Sequence, residues 1–135
     1  MNFIGYLIEK FKFDNNEVEL ESMRKFKSTF GDDAFKVKGF KFKFTNHAAH
    51  RYIERFKNDS KLFLLDQLKK IGTELHSRDN GLYFFKLKGI DKGFIVQRLN
   101  SNTAQIITVY GDQMDNKRKS TETIILESIC IIIEI

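Results

Sequence analysis

The chain has 135 residues, a formal net charge of +5, and 41% hydrophobic residues that include 14 phenylalanines. That length supports one domain with a real core, and the apolar content excludes a disordered polyelectrolyte. The lone Cys130 excludes an intrachain disulfide framework and any cysteine-rich zinc site, and the basic balance favours acidic partners, nucleic acid first.

Phe3, Tyr6, Leu7 and Phe11 recur at helical spacing and predict a short helix near residues 2–13. Met1 to Ile8 is too short and lacks the basic leader of a secretory signal. Asp14-Asn15-Asn16 then offers a cap for a second helix from Glu17 to Phe30, with Val18, Met23, Phe26 and Phe30 as its apolar stripe. Gly31-Asp32-Asp33 stops it.

From Phe35 to Phe44, apolar residues alternate with Lys36, Lys38, Lys41 and Lys43, a strand signal whose phase slips by one at Gly39. A β-bulge or a tight bend would produce that slip. The lysines fit either a phosphate-binding ribbon or an exposed strand edge protected against aggregation. Thr45 or Asn46 next caps a helix on which Ala49, Tyr52, Ile53 and Phe56 share one face. His47, His50, Arg51, Glu54 and Arg55 share the other, which reads either as a solvated face or as one that meets an anion.

Asn58-Asp59-Ser60 caps a further helix with the stripe Leu64, Leu65, Leu68 and Ile71, and Gly72 suits its end. Residues 73–111 then read as an antiparallel meander with strands near 74–78, 82–88, 93–99 and 103–110. Asn80-Gly81 is its strongest hairpin signal. In that register one face collects His76, Arg78, Tyr83, Phe85, Val96, Arg98, Ile106, Thr108 and Tyr110. Leu75, Leu82, Phe84, Ile95, Leu99, Ile107 and Val109 form the opposite, core face, and a slip of one residue would exchange the two sets. Gln113 to Thr123, centred on Lys117-Arg118-Lys119, reads as an exposed loop, and Thr123 to Ile135 as a last buried strand. That apolar run is shorter than the ~20 residues needed to cross a bilayer, so the expectation is a soluble, cytoplasmic protein with no membrane partner.

The expected architecture is α+β, with helices packed on a twisted, mainly antiparallel sheet of four to five strands. One domain spans 1–135, with a helical N-terminal part (1–34), a core (35–111) and a C-terminal extension (112–135).

The spacing of His47, His50 and Glu54 does not match the His-Glu-x-x-His pattern of zinc peptidases, and Arg51 and Arg55 would repel a divalent ion. No nucleotide-binding glycine loop and no serine-elbow motif is present. Metal-free RNA cleavage suits the residue types better. It needs a base for the 2′-hydroxyl, an acid for the 5′-oxygen, and cations for the charge that develops on phosphate. Histidine fills either proton-transfer role, and arginine offers a fixed fork of donors.

Lys43-Phe44-Thr45-Asn46-His47, followed by Arg51 and Glu54-Arg55, resembles the T-x-H-A-x-x-R-x-x-x-R helix of small ribonuclease toxins. These form the RelE/barnase/colicin-nuclease-like (BECR) superfamily, and phage endoribonucleases of the RegB type are similar. Phe94-Ile95-Val96 and Ile106-Ile107-Thr108-Val109-Tyr110 resemble the last strands of the same superfamily, so the likeness covers roughly residues 40–111.

The resemblance implies a sheet whose second face binds RNA and catalysis without a cofactor. It implies His47 as general acid or base, Arg51 and Arg55 as phosphate contacts, and Thr108 or Tyr110 from the final strand. The second family histidine is not clearly placed here, and His76 is the nearest candidate. The RNA-binding set then comprises Lys36, Lys38, Lys41, Lys43, Arg98 and Tyr110. The resulting expectation is a metal-independent endoribonuclease of single-stranded mRNA, a toxin or phage regulator, with an antitoxin or host protein as a further partner. Two readings stand beside it. One is a non-catalytic nucleic-acid-binding protein. The other is a phage-type inhibitor of a host factor, whose C-terminal strand would pair with a partner or with a second copy.

Overall fold

A computed structural model of the chain describes residues 3–13, 15–56, 60–111, 121–128 and 131–135. Two helices come first, α1 (Phe3–Phe13) and α2 (Glu17–Phe30). Asn16 caps α2 by accepting from the Glu19 amide at 2.9 Å, and Gly31 ends it in a left-handed conformation (φ 91°) that glycine adopts without steric cost. Then follow β1 (Ala34–Val37), β2 (Phe40–Phe44), α3 (Asn46–Arg55), α4 (Lys61–Leu75), β3 (Gly81–Lys86), β4 (Gly93–Arg98), β5 (Thr103–Tyr110), α5 (Thr121–Ser128) and β6 (Ile132–Glu134). The fold is α+β. Its open sheet is mixed and has six strands in the order β1-β2-β5-β4-β3-β6, with β2/β5 and β3/β6 parallel.

The phase slip at Gly39 is a tight turn. Val37 pairs with Phe40, and the two residues between them, Lys38 (φ 52°) and Gly39 (φ 81°), both have positive φ, as a two-residue hairpin requires. Phe40, Phe42 and Phe44 therefore point to one face and Lys41 and Lys43 to the other.

The expected strand at 74–78 is instead the end of α4 and a turn. Leu64, Leu68, Ile71 and Leu75 form one unbroken, fully buried stripe, so the apolar register carries the helix through Gly72. Gly72 allows close packing rather than ending the helix, because a Cβ there would lie 3.0 Å from the Lys38 Cβ at the hairpin. The C-terminal segment also departs from expectation. Residues 121–128 form α5, and only the short β6 pairs as a strand, parallel to β3. Asp14, Asn58, Asp59, Lys117-Arg118-Lys119 and Cys130 lie outside the described residues.

Both sheet faces are covered. On the first, α2, α3 and α4 bury Phe26, Phe30, Ala48, Ala49, Tyr52, Leu64 and Leu68 against Phe42, Phe44, Phe85, Phe94, Val96 and Ile106. On the second, Leu7 and Phe11 of α1 and Ile125 of α5 pack on Phe84, Ile95 and Ile107. The expected open second face is thus closed over β3–β5, since its residues there are apolar and demand a cover. Polar residues also remain on it, Lys41 and Lys43 at the β1–β2 end and Gln97 and Gln105 where β4 pairs with β5.

A register shift between Ile95 and Val96 sets which face β5 shows. Ile95 pairs with Thr108 and Val96 with Ile106, which leaves Ile107 as the extra residue of a bulge. Ile107 and Thr108 consequently point to the second face in succession, and Val109 returns to the first. The uninterrupted alternation expected for 103–110 had placed Thr108 with Ile106 and Val109 with Ile107. The bulge reverses those assignments. No described helix is long and apolar enough to cross a membrane.

The aromatic cluster around Phe26 anchors α2 to the sheet, with the Phe30 and Phe44 ring centroids each 4.7 Å away. Phe26 is fully buried, and Phe26→Ala should lower the unfolding free energy by about 3–5 kcal/mol in a denaturant titration. A loss below about 1 kcal/mol would mean that this cluster does not hold α2 in place.

Candidate functional site

Helix α3 lies in line with β2 and continues its course beside β5. β2 ends at Phe44, opposite Ile106, while β5 runs on to Tyr110. The exposed edge of β5 is taken up by α3. The Thr45 amide donates to the Ile106 carbonyl at 3.3 Å, the Thr45 hydroxyl donates to the Ile107 carbonyl at 2.9 Å, and an Arg55 Nη donates to the Val109 carbonyl at 2.6 Å. Thr45 is also the N-cap, accepting from the Ala48 amide at 2.9 Å. With this anchoring, Ala48, Ala49 and Tyr52 face the first core. His47, Arg51 and Arg55, spaced one turn apart, face the side where α1 and α5 lie.

These three side chains meet a carboxylate from α5. Glu122 Oε1 lies 2.9 Å from His47 Nε2, 2.7 Å from Arg51 Nε, 3.3 Å from Thr108 Oγ1 and 3.8 Å from an Arg55 Nη. Glu122 and Thr108 are fully buried and His47 is 4% exposed. On the opposite ring nitrogen, His47 Nδ1 lies 2.7 Å from Oε1 of Glu19, a buried residue in the first turn of α2. The Phe11 ring stacks flat on the imidazole at 3.9 Å. Arg51 reaches out to Glu54 at 3.0 Å.

Because both ring nitrogens face carboxylate oxygens, both bonds form fully when each nitrogen donates. Oε2 of Glu19 is buried and has no hydrogen-bond partner among the described residues.

The charges shape one another. Burial alone would raise the Glu122 carboxyl, but the His47 hydrogen bond and the charges of Arg51, Arg55 and His47 outweigh it and hold Glu122 well below the usual carboxylate range. Burial also works against the Arg51 charge, and Glu122 overcomes it, so that Arg51 is raised. At Arg55 burial prevails over the attraction of Glu122, and neighbouring Arg51 adds to it, so Arg55 is lowered.

Of the catalytic residues expected from sequence, the fold gathers His47, Arg51, Arg55 and Thr108 and leaves out His76. That histidine lies just beyond α4, against the first face. Its ring leans on Phe40 at 4.6 Å and its Nε2 bonds the Lys38 carbonyl. Arg98 belongs to the same corner, its guanidinium over Phe40 and bonded to Asn80 at 3.0 Å. Neither joins His47: α4 continues as a helix where the strand carrying His76 was expected, and the alternation of β4 places Arg98 with Val96 on the first face. Lys38 is in the turn beside His76. Lys36, Lys41 and Lys43 are exposed, and Lys36 pairs directly with Lys41 across the hairpin. Tyr110 lies on the second face, edge-on to Phe84 at 5.8 Å. His50 ties α3 to α2 through Ser22 at 2.7 Å.

Sequence reasoning missed Glu19 and Glu122. Asn16-x-x-Glu19 has the form of a helix capping box, a local role that conceals the reach to His47. Glu122 sits beside an apolar run with nothing in its neighbours to mark it. Among the described residues no group of three or more His, Cys, Asp or Glu is placed to hold a metal ion. No protein-family model, curated protein or solved structure matches the chain.

Since the Glu122 carboxyl is depressed in the fold, its contribution to stability is present above the usual carboxylate range and is lost on acidification. The groups facing it are His47, Arg51 and Arg55 from α3 and Thr108 from β5, with Glu19 of α2 behind His47. Urea unfolding of the native protein should show falling stability from about pH 5 downward. Glu122→Gln should flatten that fall and lie lower by about 3 kcal/mol at neutral pH. Parallel pH profiles for the two proteins would remove Glu122 from the linkage.

Proposed function

We propose that the protein is a metal-independent endoribonuclease that cleaves single-stranded RNA in the cytoplasm at a centre made of His47, Arg51, Arg55 and Thr108. The observation that carries this reading is the convergence of these four side chains on one anionic oxygen, Glu122 Oε1. A site that gathers an imidazole, two guanidinium groups and a hydroxyl around one oxyanion has the donors that phosphoryl transfer in RNA requires.

The residues divide the work by geometry. In cleavage, the 2′-oxygen bonds to phosphorus as the bond from phosphorus to the 5′-oxygen breaks. The 2′ proton leaves to solvent, and the departing 5′-oxygen takes a proton from His47 Nε2. Glu19 accepts from Nδ1 and so keeps Nε2–H aimed at the anion site, as a carboxylate does behind many catalytic histidines. Arg51 and Arg55 neutralise the equatorial oxygens as charge builds on them, and Thr108 Oγ1 donates a further hydrogen bond. Lys36, Lys41 and Lys43 stand on the same sheet face, at its open end, where a polyanion backbone would lie.

A second reading is nucleic-acid binding without cleavage. It is favoured by the burial of His47 and by the exposure of the hairpin lysines. Incubation with an RNA pool in EDTA separates the two, since cleavage should yield 2′,3′-cyclic phosphate ends and binding alone yields no product. His47→Ala should reduce cleavage by about 10²–10⁴-fold, while His76→Ala, remote from the centre, should leave it unchanged with the fold of each verified by circular dichroism. Equal rates for native protein and the folded His47→Ala variant would remove this centre from the chemistry. Replacing Lys36, Lys41 and Lys43 together by Ala should weaken RNA affinity and lower the slope of log affinity against log salt by about 2. An unchanged slope would place the RNA elsewhere.

A further inference from the structure

The anion site is filled by the protein's own carboxylate. His47, Arg51, Arg55 and Thr108 come from α3 and β5, which are built into the main sheet, whereas Glu122 is brought in by the eight-residue helix α5. Without Glu122, the cations left on that surface would demand another anion, because uncompensated charge in a buried site is costly.

A phosphodiester suits the vacancy. One of its non-bridging oxygens can take the place of Glu122 Oε1, since Nε of Arg51, Nε2 of His47 and the hydroxyl of Thr108 can serve either oxygen. Apart from the Glu122 contacts, apolar packing holds α5 in place among the described residues. Ile125 is its fully buried anchor, Ile124 and Leu126 are partly buried, and its partners are α1 and β5 on the second face.

We infer that α5 is a displaceable plug: Glu122 occupies the phosphate subsite, and nucleic acid engages His47, Arg51 and Arg55 only when that carboxylate leaves. This rests on the reading of the His47 centre as a phosphodiester site. The closed arrangement lowers apparent affinity in proportion to the fraction of molecules with α5 in place. The plug therefore acts as an intramolecular competitor, and the RNA itself is the species that displaces it.

The test uses the full chain with a single-stranded RNA oligonucleotide 2′-O-methylated at every position, which binds but cannot be cleaved. Fluorescence anisotropy compares native protein with Glu122→Gln and with Ile125→Asp, a substitution that unseats α5 without touching the polar centre. Both variants should bind at least about tenfold more tightly than native protein. Hydrogen exchange on the native protein gives a measurement independent of any variant. Adding the oligonucleotide should speed exchange of the α5 amides while protecting α3 and β5.

Equal affinity of folded variants and native protein would overturn the plug. So would α5 amides that exchange no faster when the oligonucleotide protects α3. If either variant fails to fold, the exchange result decides. Cleavage of ordinary RNA separates the two ideas. Tighter binding without cleavage would sink the nuclease reading and leave the plug, whereas equal cleavage by native protein and folded variants would sink the plug alone. No binding by any of the three proteins would overturn both.

Discussion

Around the buried carboxylate of Glu122, each of the surrounding charges is tolerable only because of the others. A carboxylate without exposure is costly by itself, as are guanidinium groups drawn from water, and together they offset much of that cost. The cluster also joins elements that share no hydrogen-bond ladder. Glu122 ties α5 to α3 and β5, and Glu19 ties α2 to α3 through the same histidine. Two irregularities of the sheet make this possible. β2 stops early, so that α3 can lie against the edge of β5, and the bulge at Ile107 turns Thr108 toward α5.

The same construction divides the cationic residues into two regions with different exposure. Lys36, Lys41 and Lys43 are open to solvent at the hairpin end of the second face, where they can attract a polyanion at long range. Arg51 and Arg55 lie with His47 under α5 and are already engaged by a carboxylate. Exposed and engaged cations are thereby separated along one face of the protein, and the closed region is the one that holds His47.

Much of the fold was legible because its signals are local. The two N-terminal helices, the lysine hairpin, the capped α3 and the strands near 82–88, 93–99 and 103–110 all follow from periodicity and turn residues, and they stand where periodicity put them within a few positions. Where reasoning failed, a non-local contact had changed the meaning of a local signal. Gly72 reads as a helix stop, yet a Cβ there would crowd the Lys38 Cβ and the Val37 carbonyl at the hairpin. Thr108 reads as a partner of Ile106, yet one extra residue opposite Ile95 moves it to the other face. His76 then lost the strand that would have carried it.

By itself the sequence determined that the chain is α+β and that His47, Arg51 and Arg55 share one face of a helix capped by Thr45. Helical spacing and capping are properties of neighbouring residues, and no distant contact is needed to read them. Only the tertiary structure decided what that face meets. Glu19 and Glu122 stand 28 and 75 residues from His47, and two single glutamates at such separations carry no pattern that distinguishes them from solvated ones. What selects them is the cost of burying α3's cations without an anion, which exists only once α1 and α5 have closed over the second face.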